Sequence, residues 1–374
     1  MSFPRYVLLG LLLCLPAFAS FGPSQAAAAS RKVEVVFVVD TTGSMSGLIE
    51  GAKKKIWSIA NMIIDQYPNA EIKFGLVGYR DLGDAYVTKH FSLTTDVQSI
   101  YAQLLQFEAE GGGDTPESVN EALDVAVTKL GWSDKRQVKA DRVLFLVGDA
   151  PPHMDYKQDR KYKEVIGEAV QKGIIVNTVQ CGDMASTTKI WKEMAKLGKG
   201  EYLPIPQDGG RVRVIETPYD EQIIIIQRKL NVTVVPYGSR ARQSEVQSKA
   251  KMYEDAPKAA ALDMSSYVSK ADGGKSVVTG SGDLVADFND GKVKLDKVPE
   301  AELPDELQKM SPAERETFVN EKTAERDALS KELAGLVQQR DAYVRDEEKK
   351  APTTPADSFD TGVKKTLEMQ MKGE

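Results

Sequence analysis

Cysteine is nearly absent, with only Cys14 and Cys181 in 374 residues, which excludes a disulfide-built scaffold. Histidine is as scarce, represented by His90 and His153 alone. No CxxC, HExxH or P-loop pattern occurs, and no Ser/His/Asp set stands at credible spacing, so the usual signatures of redox, metalloprotease, nucleotide and serine-hydrolase chemistry are missing. Positive charge is not in excess: 49 Lys and Arg face 55 Asp and Glu, a net charge of -6, so no basic face is available for the phosphates of nucleic acid. Long apolar runs are also lacking. The longest, 6–16, is too short for an ordinary membrane span.

That run follows Arg5 and precedes Ala17-Phe18-Ala19, with further small residues at 26–29, the layout of a secretory signal peptide. The expectation is a signal peptide and linker over 1–29, a periplasmic or secreted product, and no membrane span in the mature chain. Retention of the segment as an anchor is the alternative. Leu11-Leu12-Leu13 before Cys14 does not fit a lipid-attachment site. Cleavage leaves Cys181 alone, after the apolar run 174–179, as a small buried hydrophobe.

From 33 to about 205, apolar runs alternate with helical patterns. Residues 33–39 are nearly continuous β-branched sequence, as in a strand buried on both faces. Further strands are predicted at 71–79, 86–93, 142–147, 174–180 and 201–203, with helices at 47–66, 95–109, 115–130, 157–172 and 187–197. Thr115 can cap the third of these, with Pro116 in its first turn and Glu117 at the positive end. The pattern predicts an α/β fold, a doubly wound, mostly parallel sheet flanked by helices, with a mainly helical C-terminal extension.

The expected divisions are a main domain over 31–215, a mixed extension over 216–292, a helical region over 293–350 and a disordered tail over 351–374. Within the extension, 219–230 and 243–261 read as helices, 232–237 as extended chain and 284–288 as a short apolar element. Ser311 and Glu314 have capping-box spacing around Pro312 and open a helix to about 347, roughly 50 Å long. Its loose apolar stripe fits packing on the main domain or pairing with another helix, core packing being the commoner case. The Pro, Thr, Ser and Lys content after 351 reads as disorder.

Three segments fall at one edge of the predicted sheet: Asp40-Thr41-Thr42-Gly43-Ser44-Met45, Gly111-Gly112-Gly113-Asp114-Thr115-Pro116-Glu117, and Gly148-Asp149-Ala150-Pro151-Pro152-His153. Ligands of doubly wound sheets bind at that edge. Carboxylate and hydroxyl oxygens suit a hard cation, and hydroxyls leave the ion short of negative charge. Asp114 reads as a turn or capping residue, His153 as loop structure, and His90 as no ligand. Arg80 and Asp81 read either as a rim that partners touch or as an ordinary exposed pair.

Asp40-Thr41-Thr42-Gly43-Ser44 resembles the D-x-S/T-x-S loop of the metal-ion-dependent adhesion site in von Willebrand factor type A (VWA) domains, with Thr115 matching the separate threonine and Asp149 the distal aspartate. The resemblance covers 33 to roughly 210. It implies that Thr42 and Ser44 ligate directly, while Asp40, Thr115 and Asp149 act directly or through water. Thr42 stands where serine is commoner, and Ala150 where many relatives carry glycine. Gly78-Tyr79-Arg80-Asp81, the Asp149 segment and Leu303-Pro304-Asp305-Glu306-Leu307 are similar to those of exported bacterial VWA proteins.

The implied cofactor is a divalent cation, Mg2+ before Mn2+ or Ca2+, and the implied function is cation-dependent protein binding without catalysis, the ion bridging to an acidic side chain of the partner. Two alternatives stand beside it. A metal-dependent phosphohydrolase would use 41–44 to cradle phosphate, but no second acid lies two positions from Asp40 and the loop has no lysine. A scaffold would use the metal only to stabilise its fold.

Overall fold

The computed structural model describes residues 31–371, apart from 69, 114, 210–214, 272–275 and 351–358. The expectations for 1–29, for Asp114 and for the first part of the tail lie outside the described residues.

The elements follow as β1 (Lys32–Asp40), α1 (Ser46–Gln66), β2 (Glu71–Tyr79), β3 (Thr88–Thr94), α2 (Val97–Leu105), α3 (Val119–Thr128), β4 (Ala140–Gly148), α4 (Tyr162–Gln171), β5 (Ile174–Cys181), α5 (Ala185–Leu197) and β6 (Lys199–Ile205). They form one six-stranded sheet in the order β3-β2-β1-β4-β5-β6. All neighbours pair in parallel except β3, which runs antiparallel to β2 at the edge. Everything in β1 after Lys32 is buried, because a central parallel strand is covered on both faces. Phe37, Phe74 and Phe145 stack under α1 and α2, and Val36, Val38, Leu144 and Leu146 meet α3, α4 and α5 on the other side. The chain order reverses between β1 and β4, so the carboxyl ends of those two strands flank the crevice.

Helix α3 starts later than its capping signals predict. The Glu117 N–H donates to the Pro151 carbonyl at 3.0 Å, and the His153 N–H donates to the Glu117 carbonyl at 3.1 Å. This strand-like pairing with the loop after β4 holds 115–117 out of helix, and the helix opens behind Ser118.

The extension contains α6 (Asp220–Val232), α7 (Arg240–Asp255), α8 (Lys258–Lys270), α9 (Leu284–Asn289), α10 (Asp305–Gln308), α11 (Pro312–Lys350) and α12 (Phe359–Gln370). The single helix expected over 243–261 is two helices, broken at extended Ala256 before Pro257, whose ring disfavours helical backbone in the residue ahead of it. The capping box of α11 forms, with the Ser311 N–H donating to Glu314 Oε2 at 2.7 Å. Leu333, Leu336 and Val337 pack on Ile223, Ile226 and Leu230 of α6, so α11 is a core helix there. Arg326 is buried too, held by Asp283 at 2.7 Å and by the Thr233 carbonyl at 2.7 Å.

The described end of the tail departs from the expectation of disorder. Helix α12 buries Phe359, Val363, Leu367 and Met371 against α1 and β6, with Phe359 6.0 Å from Phe37 between ring centroids. Four apolar residues at a spacing of four were outweighed in the sequence by the polar stretch ahead of them. Among the described residues, no helix is long and apolar enough to cross a membrane.

Candidate metal centre

β1 delivers Asp40 to the crevice fully buried, and a single 3-10 turn, Gly43–Met45, then carries the chain into α1. Thr42 donates its backbone N–H and its hydroxyl to Asp40 Oδ1, at 2.9 and 2.6 Å. Asp40 Oδ2 is buried without a hydrogen-bond partner. Burial, reinforced by the negative charge of Asp149 and opposed by the Thr42 bonds and, least, by the Asp149 backbone N–H, raises the Asp40 carboxyl from 3.8 to about 7. The Thr42 and Ser44 hydroxyl oxygens stand 3.4 Å apart, with Thr42 buried and Ser44 exposed.

Asp149, half-buried just past β4, accepts from the Gln207 side-chain amide at 2.7 Å through Oδ2. The same amide reaches the Ser44 carbonyl at 3.3 Å. Gln207, on the loop after β6, thus straps the first and third predicted segments together. Nothing in the sequence marks it, since a lone glutamine beyond a short strand carries no motif.

The second segment is stitched to the first through backbone: Gly43 N–H to the Gly111 carbonyl at 3.2 Å, and Glu110 N–H to the Thr41 carbonyl at 3.1 Å. Gly112 has a φ of +81°, and a Cβ there would sit 3.1 Å from Thr42 Cβ and 3.3 Å from Glu117 Oε1, so glycine is what permits the close approach. Thr115 itself is exposed, and among the described residues it forms no hydrogen bond with Asp40, Thr42, Ser44 or Asp149. Hydrogen bonds and the Gln207 bridge thus link Asp40, Thr42, Ser44 and Asp149, while Thr115 is exposed on the second segment.

Glu117 occupies the interior side of this segment, 3 % exposed, with Oε2 unpartnered. Burial and the charges of Asp40, Asp81, Asp84 and Asp149 push its carboxyl up to about 9, so it is neutral at neutral pH and adds no charge to the site. Its position resembles an ordinary acid in a helical first turn, which hid it. Tyr79, wholly buried at the end of β2, has its phenol raised by burial and by Asp40 and Glu117.

Arg80 and Asp81 are not an exposed pair, because both are 4 % exposed. Asp81 accepts from Ser118 and Tyr156 at 2.8 Å each, and Arg80 donates to the Glu108 carbonyl at 2.8 Å. His153 stacks on Tyr156 at 3.9 Å and lies 3.4 Å from Asp81, a structural element of the loop. Cys181 is buried, and its thiol is raised by that burial.

The donor set fits a hard divalent ion. Its oxygens are carboxylate and hydroxyl, and a buried carboxylate oxygen lacks any protein partner. Among the described residues, no three His, Cys, Asp or Glu side chains form a cage by themselves, so an ion here leans on the Thr42 and Ser44 hydroxyls and on water.

This sheet, with an acidic and hydroxyl-bearing crevice at its switch point, defines the class, and residues 34–210 match the von Willebrand factor A domain family. The chain carries a VWA domain. Domains of this kind typically mediate protein interactions.

The putative ariadne-like RING finger protein R811 of Acanthamoeba polyphaga mimivirus is 28% identical over 125 residues, covering 32% of this chain and 11% of that protein. Alpha-protein kinase vwkA of Dictyostelium discoideum is 29% identical over 126 residues, covering 33% and 19%. Von Willebrand factor A domain-containing protein 7 of Rattus norvegicus is 36% identical over 94 residues, covering 24% and 10%. The chain thus spans between 10% and 19% of the length of these curated relatives. Among solved structures, the SpRpn10 VWA domain aligns over 48% of this chain and 89% of its own, at 12% identity and a TM-score of 0.35.

Proposed function

We propose that this protein is a non-catalytic, cation-dependent binding protein that holds Mg2+ at Asp40, Thr42, Ser44 and Asp149, with Thr115 contributing through water. The bound ion supplies a coordination position for an acidic side chain of a protein partner. The observation that carries this reading is the Asp40 carboxylate: one oxygen is held by Thr42 and the other is buried with no partner. A buried carboxylate in that condition is destabilised until a cation arrives. Because Thr42 and Ser44 offer only neutral hydroxyls, part of the ion's shell is left to exchangeable water, a position that an incoming carboxylate can take. We further propose that the protein is exported, on the charged-then-apolar N-terminal pattern at Arg5 and 6–16.

Two measurements test the reading. Calorimetric titration with Mg2+ should show binding that Asp149→Ala weakens and Thr42→Ala/Ser44→Ala abolishes, with circular dichroism unchanged. Affinity capture of partners, with and without chelator, should lose the same bands on chelation and in Asp149→Ala. If capture ignores both, while Mg2+ still raises the melting midpoint, the ion serves the fold and the protein is a scaffold.

A further inference from the structure

Resting on that reading, we infer that the partner segment presents its carboxylate between lysine or arginine residues and beside apolar side chains. Three large apolar side chains stand in solvent on loops that leave the carboxyl edge of the sheet: Leu82 after β2, Met154 after β4 and Met184 after β5, at 48%, 47% and 40% exposure. Isolated exposed hydrophobes need no explanation, but three on successive loops around one crevice form an adaptable rim, since methionine repacks readily against different surfaces.

The segments around the crevice carry mostly acidic charge. Glu108 and Glu110 after α2, Asp155 after β4, Asp183 after β5 and Asp208 after β6 are exposed, whereas Lys157 is the exposed basic residue of these segments among the described residues. Glu110 faces Arg80 at 3.7 Å, which offsets part of the field without reversing it. The crevice itself ends on the buried, unpartnered Asp40 oxygen. An acid-rich partner would meet repulsion from these exposed carboxylates. A segment with one acid for the ion, basic flanks for the rim carboxylates and apolar neighbours for Leu82, Met154 and Met184 is complementary throughout.

The test uses the full chain with Mg2+ and short fluorescein-labelled peptides, read by fluorescence anisotropy. The reference peptide has a central Asp flanked on both sides by Lys and Leu. Exchanging its Lys for Glu should weaken binding about tenfold at low salt, and the gap should close at high salt. Exchanging Leu for Ser should weaken it several-fold, a difference that Leu82→Ser/Met184→Ser protein should no longer show. Asp155→Lys/Asp183→Lys protein should lose most of its preference for Lys flanks. Binding that needs the central Asp and Mg2+ yet treats Lys and Glu flanks alike would overturn this proposal and leave the ion reading intact. Equal binding of the central Asp and Asn peptides would instead overturn the ion reading. Calorimetric Mg2+ binding without capture of any peptide would overturn a short linear segment as the partner.

Discussion

Thr42 commits both of its hydrogen-bond donors to one oxygen of Asp40, so the carboxylate is fixed in orientation while its other oxygen is left buried and bare. Removing the charge at this position separates stability from ion binding. Asp40→Asn should melt higher than wild type in chelator at pH 8, and its melting midpoint should no longer respond to Mg2+. A wild-type-like response in the variant would move the ion elsewhere.

The pH dependence has a definite sign. The Asp40 carboxyl rises from 3.8 to about 7 on folding, so its protonated form is favoured in the folded state. The stability linked to this group is present below 3.8 and is lost as pH rises through about 7, an effect of about 4 kcal/mol if nothing else relaxes. In chelator, wild type should therefore lose stability between pH 5 and pH 8 relative to Asp40→Asn. Because the ion needs the ionised form, Mg2+ affinity should climb over the same interval with release of a proton, measurable by calorimetry in buffers of differing ionisation enthalpy.

Gly148 is where β4 passes the crevice. A Cβ added there would lie 2.4 Å from the Tyr79 hydroxyl and 3.0 Å from Asp40 Cβ, and both side chains are fully buried. Gly148→Ala should cost about 1–3 kcal/mol in denaturant unfolding and weaken Mg2+ binding as Asp40 is displaced. A neutral result would mean that Tyr79 yields freely.

The docking of α12 is tested through Leu367, which is fully buried. Leu367→Ala should lower stability by about 2–5 kcal/mol, in line with a core site. A change below about 0.5 kcal/mol would be that of a surface residue and would detach the helix from the sheet.

The sheet was readable because β1, β4 and β5 are central and apolar on both faces, leaving little ambiguity of period. The same topology let the sequence place Asp40 and Asp149 at the crevice, since strand ends mark it whatever the loops do. What sequence did not convey were pairings set by tertiary contact. Glu117 and Pro152 pair strand-to-strand across two loops, which overrides a well-formed capping signal at Thr115. Gln207 reaches Asp149 from 58 residues away, and no local pattern encodes that span. The extension was harder still, because Pro257 and the short stripe of α12 act against longer polar backgrounds.

Helix α12 lies against α1 beneath the central strands, and the carbonyl of Met371 accepts from both Arg31 and Tyr67. A ribosome that has delivered the whole VWA segment still holds back the piece that roofs Phe37. Nascent chains generally complete their early domains first. Here the first strand waits for residues made 340 positions later, the interval from Arg31 to Met371, so the growing polypeptide keeps an uncovered apolar flank until synthesis passes that point.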